Sequence, residues 1–103
     1  MDSELRSMLV QTAQIQKVSG YSYGRPTHSS AVTISTYFEQ EYRVIKNKAG
    51  QEVVSKGFAV VEPTVSIDVE DLFIYEGTTH EIISVLPFID VETGTLSHKE
   101  VYI

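Results

Sequence analysis

Residues 31–45 read AVTISTYFEQEYRVI, and this stretch decides the fold. Apolar and aromatic side chains alternate there with threonine, serine, glutamate and arginine. A period of two is typical of a strand that buries one face and exposes the other. The pattern therefore predicts one long strand, and its predicted inward side chains are Val32, Ile34, Phe38, Tyr42 and Val44.

The same stretch predicts a hairpin. Residues 46–50 have turn composition, and QEVVSKGFAVVE at 51–62 is again rich in β-branched side chains. Within this second arm, Gly57 predicts a bulge or a tight bend. Two interpretations remain open: residues 43–54 project beyond a small domain, or the strand pair curves and wraps it.

Weaker β patterns flank the hairpin. Residues 9–18 alternate loosely, residues 71–90 predict two short strands around a turn at Gly77, and residues 96–103 predict a final strand. Residues 1–8 predict a short helical turn or a flexible terminus. Five or six strands linked by hairpins favour an all-β fold, a small closed or nearly closed β-barrel of SH3 or OB size, because closure hides polar strand edges.

Composition narrows the class of protein. The 103 residues, 42% of them hydrophobic, predict one domain over residues 1–103. The 14 acids and 8 bases give a net charge of −6, which repels a phosphate backbone. The chain has no cysteine, which excludes disulfides and thiolate metal sites. No apolar run is long enough for a membrane span, and the acidic start lacks a signal-peptide pattern, so synthesis in the cytoplasm is expected.

Motifs for catalysis are missing from the sequence. His28, His80 and His98 show no HxH or HxxxH spacing, and there is neither a GxSxG elbow nor a P-loop. Paired carboxylates such as Glu39 and Glu41 are better explained as charges that protect a strand edge. We therefore expect no enzyme, no cofactor and no catalytic or metal site.

Two segments have the composition of interaction sites. Residues 19–30, SGYSYGRPTHSS, predict a long loop, whose aromatic and polar side chains suit docking, although a merely mobile loop fits as well. Its candidate docking residues are Tyr21, Tyr23, Arg25, Pro26 and His28. The tip of the long hairpin is basic, and its candidate residues are Lys46, Asn47, Lys48, Ala49 and Gly50.

The order of these segments resembles a known family. The stretches are GRPTHSSAVTI at 24–34, YFEQEYRVI at 37–45, KAGQEVVSKGFAVVEP at 48–63 and IYEGTTHEIISV at 74–85. Together they resemble the small head-completion proteins of tailed bacteriophages, also called head closure, stopper or head-to-tail joining proteins. Their terminal hairpin has a hydrophobic pair, x-Gly, then x-x-E-I-x-x-V. The similarity covers roughly residues 10–103.

The resemblance implies a structural protein of the virion neck, assembled in the host bacterial cytoplasm. Like copies would form a ring, expected to be dodecameric, between the portal-bound adaptor and the tail completion or tail tube protein. By position, residues 43–54 correspond to the hairpin or loop that projects into the channel in such rings. That element would make weak, transient contact with packaged double-stranded DNA and help to retain it.

Two other functions stay open. One is an OB-like or SH3-like binding module for a peptide or single-stranded nucleic acid, although the net charge weighs against nucleic acid. Its stacking platforms would be Tyr21, Tyr23, Tyr37 and Tyr42. The other is a small enzyme or an accessory subunit of one, for which the sequence offers no motif.

Overall fold

The computed structural model describes residues 6–103, and in that part of the chain it confirms a predominantly β fold. The strands are β1 (Gln11–Gln16), β2 (Val18–Ser22), β3 (Arg25–His28), β4 (Val32–Lys46), β5 (Glu52–Val61), β6 (Leu72–Tyr75), β7 (Thr78–Glu81), β8 (Ser84–Ile89) and β9 (Leu96–Tyr102). β2 and β3 form a separate two-stranded sheet, and the other strands form one antiparallel sheet in the order β7-β6-β1-β4-β5-β9-β8.

The large sheet is curled but open. Its edge strands β7 and β8 follow each other in the chain with only Ile82 and Ile83 between them, so the sheet must curl until both edges meet at this corner. There the Ile83 N–H donates to the Tyr102 carbonyl at 2.7 Å. No ladder joins β7 to β8 within residues 6–103. The predicted closed or nearly closed barrel is therefore not confirmed.

The predicted N-terminal helix falls mostly on residues 1–5, which lie outside the described part of the chain. What the structure describes is the end of one turn, where the Leu9 N–H donates to the Arg6 carbonyl at 3.1 Å. The Arg6 guanidinium lies 3.3 Å from the Glu62 carboxylate. The helical turn as predicted is not confirmed.

The long hairpin contains the irregularity that its glycine predicts. The β4–β5 ladder shifts register between Gln40 and Arg43, where two β4 residues oppose Lys56 of β5. A Cβ on the adjacent Gly57 would lie 2.9 Å from the Glu39 carbonyl oxygen, so the two backbones approach more closely here than a larger residue permits. The position thus needs glycine for space.

The bulge explains an error in the predicted register. Phe38, before the bulge, packs against the core as predicted. Tyr42 and Val44, after it, are 68% and 63% exposed, so their predicted inward placement is wrong. An extra residue in one strand changes which side chains point inward beyond it. Val32, which pairs with Ile15 at the start of β4, is 58% exposed, so its predicted inward placement is wrong as well.

The hairpin curves with the sheet. Fifteen residues in a straight strand would span about 50 Å, whereas the longest dimension of the molecule is 45 Å. The turn residues Asn47, Lys48 and Ala49 line a cleft of about 360 Å³ together with Ile82 and Ile83. The tip thus lies beside the end of the sheet.

One hydrophobic core fills the concave side of the sheet. Phe73 is fully buried at its centre, and Ile67, from the segment between β5 and β6, is buried with it. Val65 and Val69 on the same segment pack against that core, so residues 65–69 seal one end of it. The buried cluster consists of Ala13, Ile15, Ala59, Val61, Ile67, Phe73, Ile82, Val101 and Ile103.

Candidate functional site

The predicted docking loop is a hairpin. Residues 19–30 contain most of β2 and all of β3, so the prediction of an extended loop is wrong. The reason lies in the turn, where Tyr23 and Gly24 have φ angles of 52° and 77°. Two successive positive φ angles are typical of the tight turns that join paired strands. The alternation of the short strands was hidden by their serine and glycine content.

Tyr23 is the most unusual residue of this hairpin. Its side chain is fully exposed, and its positive φ is one that a bulky side chain rarely adopts. Asparagine or glycine would fit this turn with less strain. A strained backbone that presents an exposed aromatic side chain is typical of a residue kept for contact with a partner.

The other candidate residues divide into exposed and structural ones. Arg25 and Pro26 are exposed, like Tyr21. The Tyr21 hydroxyl donates to the Glu70 carboxylate, and His28 Nε2 donates to the Glu70 carbonyl at 2.8 Å. His28 therefore attaches the hairpin to the segment before β6 and is less available to a partner.

A buried carboxylate holds the base of the β2–β3 hairpin. Asp71 accepts the Val18 N–H at 2.9 Å, the Asp68 N–H at 2.8 Å and the Lys17 ammonium at 2.5 Å. Burial alone would raise the pKa of Asp71, but these three donors outweigh burial and lower it. Asp71 is thus a charged anchor, which the sequence analysis missed because Lys17 lies 54 residues away.

The tip of the long hairpin is built around Asn47. Its side-chain Oδ1 accepts the N–H groups of Ala49 and Gln51, each at 3.0 Å, and Gly50 has a φ of 81°. Asparagine and glycine are suited to these two tasks in a turn. Lys46 and Lys48 remain exposed on either side of Asn47.

The structure brings the two predicted segments together. Lys48 from the long hairpin and Tyr21 from the β2–β3 hairpin line one cleft of about 310 Å³. Asp68, Glu70 and Asp71 line the same cleft. A lysine of the tip therefore lies beside acids of its own chain, which favour this position of the tip by attraction across the cleft.

A second cleft lies along a part of the β4 edge that pairs with no other strand of residues 6–103. β1 pairs with β4 only as far as Thr36, and beyond it the Gln11 side chain takes the place of a strand. Its Oε1 accepts the Phe38 N–H at 2.8 Å, and its Nε2 donates to the Tyr75 hydroxyl at 2.7 Å. The cleft beyond measures about 390 Å³ and is lined by Phe38, Gln40, Tyr42, Lys56, Tyr75, Glu76, Thr78, His80 and Ile103.

Stacked aromatic rings form the floor of this cleft. The Phe38 ring stacks on Tyr75 with centroids 4.4 Å apart, and on His80 at 6.4 Å. Burial, and to a smaller extent the Lys56 ammonium, lowers the pKa of His80, which favours the neutral ring. The cleft therefore presents π faces and one cation, Lys56.

The three histidines lie on β3, β7 and β9. Within residues 6–103, no group of three or more His, Asp or Glu side chains is arranged to hold a metal ion. In the same part of the chain, no helix is long and apolar enough to cross a bilayer.

Two comparisons with known proteins were made. Neither the scan against protein-family models nor the search of curated proteins finds a match to this chain.

Proposed function

We propose that this chain is a structural protein of the bacteriophage neck. In this proposal it is one subunit of a ring, expected to be dodecameric, that joins the portal-bound adaptor to the tail and helps to retain packaged DNA. The proposal starts from the resemblance of residues 10–103 to head-completion proteins. It gains support from how charge and exposed side chains are distributed over the fold.

The observation that carries the proposal is the concentration of bases in one segment of the sequence. Residues 43–56 of the long hairpin carry four of the eight bases and only one acid, Glu52. The rest of the chain has four bases and 13 acids. An acidic channel wall repels DNA, while a few lysines make contacts that salt weakens. This arrangement suits a conduit that retains a duplex without binding it tightly.

Exposed side chains on turns supply surfaces for the two neighbours in the neck. Tyr23 on the β2–β3 turn and Val91 on the turn between β8 and β9 are both almost fully exposed. Both turns are held by hydrogen bonds: Asp71 accepts the Val18 N–H at the base of the β2–β3 hairpin, and the Asp90 carbonyl accepts the Gly94 N–H at 2.8 Å in the turn of Val91. In this proposal one turn contacts the adaptor and the other contacts the tail.

Docking to neck-deficient particles tests this function. Purified protein is mixed with DNA-filled heads that carry portal and adaptor but lack this component, and the necks are imaged. The expected result is a ring of stoichiometric occupancy below the adaptor. An empty neck, on heads that accept their cognate component, would discard the proposal.

The second candidate function is a peptide-binding module. The specific observation that favours it is the aromatic cleft beside the free edge of β4, because extended peptides add to such edges and dock on aromatic floors. Tyr42→Ala, which shortens that cleft, separates the two functions. It would weaken capture of extended peptides from a synthetic library while leaving neck docking intact.

A further inference from the structure

The cleft beside the unpaired part of the β4 edge has the composition of a small-molecule site. Its volume of about 390 Å³ falls within the usual range for ligand pockets. The Phe38 ring stacks on Tyr75 and on His80, so the floor is aromatic. In such sites a few polar groups around an apolar floor orient the ligand. The polar side chains of this cleft therefore indicate which class of compound it binds.

Four exposed polar side chains of the lining are available to a ligand. They are Gln40, Lys56, Glu76 and Thr78. None of them makes a hydrogen bond or an ion pair through its side chain with any other residue in the range 6–103. Lys56 and Glu76 are charged and have opposite sign, so the cleft offers both a cation and an anion.

Neither charge is taken up by a neighbouring residue. Glu41, which opposes Lys56 across the bulge, does not line the cleft, and its carboxylate accepts the Arg43 guanidinium at 2.8 Å. On its other side, Glu76 borders a smaller cleft, whose lining contains no other charged residue. Both charges therefore remain available on the aromatic cleft that they share.

The two charges lie toward different ends of the aromatic floor. Burial and then the Lys56 ammonium lower the pKa of His80, so this ammonium lies near the His80 ring. Glu76 directly follows Tyr75 in the chain. Tyr75 and His80 belong to pairs of the β6–β7 ladder that are two residues apart, which corresponds to about 7 Å. Two long side chains at this separation reach one small ligand that is held over Phe38.

We infer that this cleft binds a free aromatic α-amino acid. The ring of the ligand stacks on the floor, its carboxylate pairs with the Lys56 ammonium, and its ammonium group pairs with the Glu76 carboxylate. An aromatic anion would be repelled by Glu76, and an aromatic cation by Lys56. A neutral aromatic compound would leave both charges without a partner. A zwitterion is the class of ligand that satisfies both.

Titration with three small probes tests this inference. They are phenylalanine, 3-phenylpropanoate, which lacks the ammonium group, and 2-phenylethylamine, which lacks the carboxylate. Binding is followed by NMR through the ring protons of Phe38, Tyr75 and His80. Phenylalanine should bind at least about threefold more tightly than either of the other probes, because each pair is partly exposed to water. Equal binding of the three probes, or no shift of these resonances, would overturn the inference.

Two variants assign the charged contacts. Lys56→Gln should remove the preference for phenylalanine over 2-phenylethylamine, and Glu76→Gln should remove the preference over 3-phenylpropanoate. Lys46→Gln and Glu81→Gln are the matched controls, because both residues are exposed and lie outside this cleft. The controls should keep both preferences. If Lys56→Gln or Glu76→Gln keeps them as well, the charged groups do not contact the ligand and the inference is wrong.

A fourth probe distinguishes a free amino acid from a peptide segment. N-acetylphenylalaninamide carries no charge and resembles a phenylalanine within a peptide chain. Binding as tight as that of phenylalanine would assign the cleft to a peptide and overturn the inference, whereas weaker binding would support it. The proposed neck contacts lie at Tyr23 and Val91, outside this cleft, so the titration does not depend on the neck role.

Discussion

The Lys17 ammonium lies 2.5 Å from the Asp71 carboxylate, and the Asp71 side chain is only 3% exposed. This pair joins the residue before β2 to the residue before β6, and Asp71 also accepts the Val18 N–H. Together with the Tyr21 and His28 contacts to Glu70, this buried carboxylate fixes the direction in which the β2–β3 hairpin leaves the domain.

Removing the charge of Asp71 should destabilise the chain and change its response to acid. We expect Asp71→Asn to lower the free energy of unfolding at neutral pH by about 1–3 kcal/mol, because buried donors lose their charged acceptor. Urea unfolding at several pH values measures this, and Asp68→Asn, at an exposed carboxylate that accepts only the Val69 N–H, is the control.

The pH dependence follows from the direction of the pKa shift. Folding lowers the pKa of Asp71, so its contribution is complete above the pKa of the unfolded chain and is lost as pH falls through the folded pKa. The Asp71→Asn protein should therefore lose less stability between neutral and strongly acidic pH than the parent. An identical acid response in both proteins would contradict the role of this carboxylate.

Gly57 should not tolerate a methyl group. A Cβ there would meet the Glu39 carbonyl oxygen at 2.9 Å and the Phe38 ring at 3.1 Å, so we expect Gly57→Ala to cost about 1–3 kcal/mol of stability through strain. Gly20→Ala is the matched control, since its nearest neighbour, Thr27 Oγ1, would be 3.7 Å away. Thermal unfolding of both variants checks this. Equal changes in stability for the two variants would show that the backbone at the bulge shifts to make room for the methyl group.

Substitutions on the two sides of the bulge should differ. Phe38→Ala removes a ring that stacks on Phe73 and Tyr75, and we expect a loss of about 3 kcal/mol. Tyr42→Ala removes an exposed ring, and we expect a change within about 0.5 kcal/mol. Chemical denaturation of the two variants tests which side chains of β4 point inward. A larger loss of stability for Tyr42→Ala than for Phe38→Ala would refute the assigned register.

Replacing Tyr23 should stabilise the chain and weaken its contact with a partner. Tyr23→Asn places a residue that tolerates positive φ in the turn, and we expect the free energy of unfolding to rise by up to about 1 kcal/mol. The same change removes the exposed ring, so neck docking should weaken. Unfolding curves and docking titrations together check this, and unweakened docking would show that Tyr23 makes no contact.

Lysines at the hairpin tip should affect DNA retention and not folding. Lys46→Glu with Lys48→Glu reverses two exposed charges, of which that of Lys48 lies beside an acidic cleft of the same chain. We expect a folded protein that still docks but lets DNA leak from filled heads, because repulsion replaces attraction at the duplex. Lys46→Arg with Lys48→Arg keeps both charges and serves as the control. Equal DNA leakage with the two variants would leave the joining role in place and reject the gating role.

Local pattern was sufficient for most of the strands. The alternation in residues 31–45, the turn at Gly77 and the final strand each depend on neighbours in the sequence, and the structure has β4, the β6–β7 hairpin and β9 there. The bulge was predicted at Gly57 on β5, but the extra residue lies in β4 between Gln40 and Arg43, which the local sequence of β4 does not signal. Tyr42 and Val44 were misassigned for that reason.

Some features of the candidate site could not be predicted from the sequence, because they depend on contacts between distant segments. The residues of the two interaction segments were identified from composition, but their convergence on one cleft depends on where the sheet curls. Asp71 gave no local signal, because its donors come from Lys17, Val18 and Asp68. The exposure of apolar side chains on β8 was missed, because such side chains fit a strand equally well whether its outer face is covered or exposed.

In the proposed role, this chain closes the neck of a DNA-filled head. The DNA released over time is measured from filled heads with portal and adaptor, with and without the added protein. Stoichiometric protein should stop the release. Continued release, from heads that are sealed by their cognate component, would contradict it.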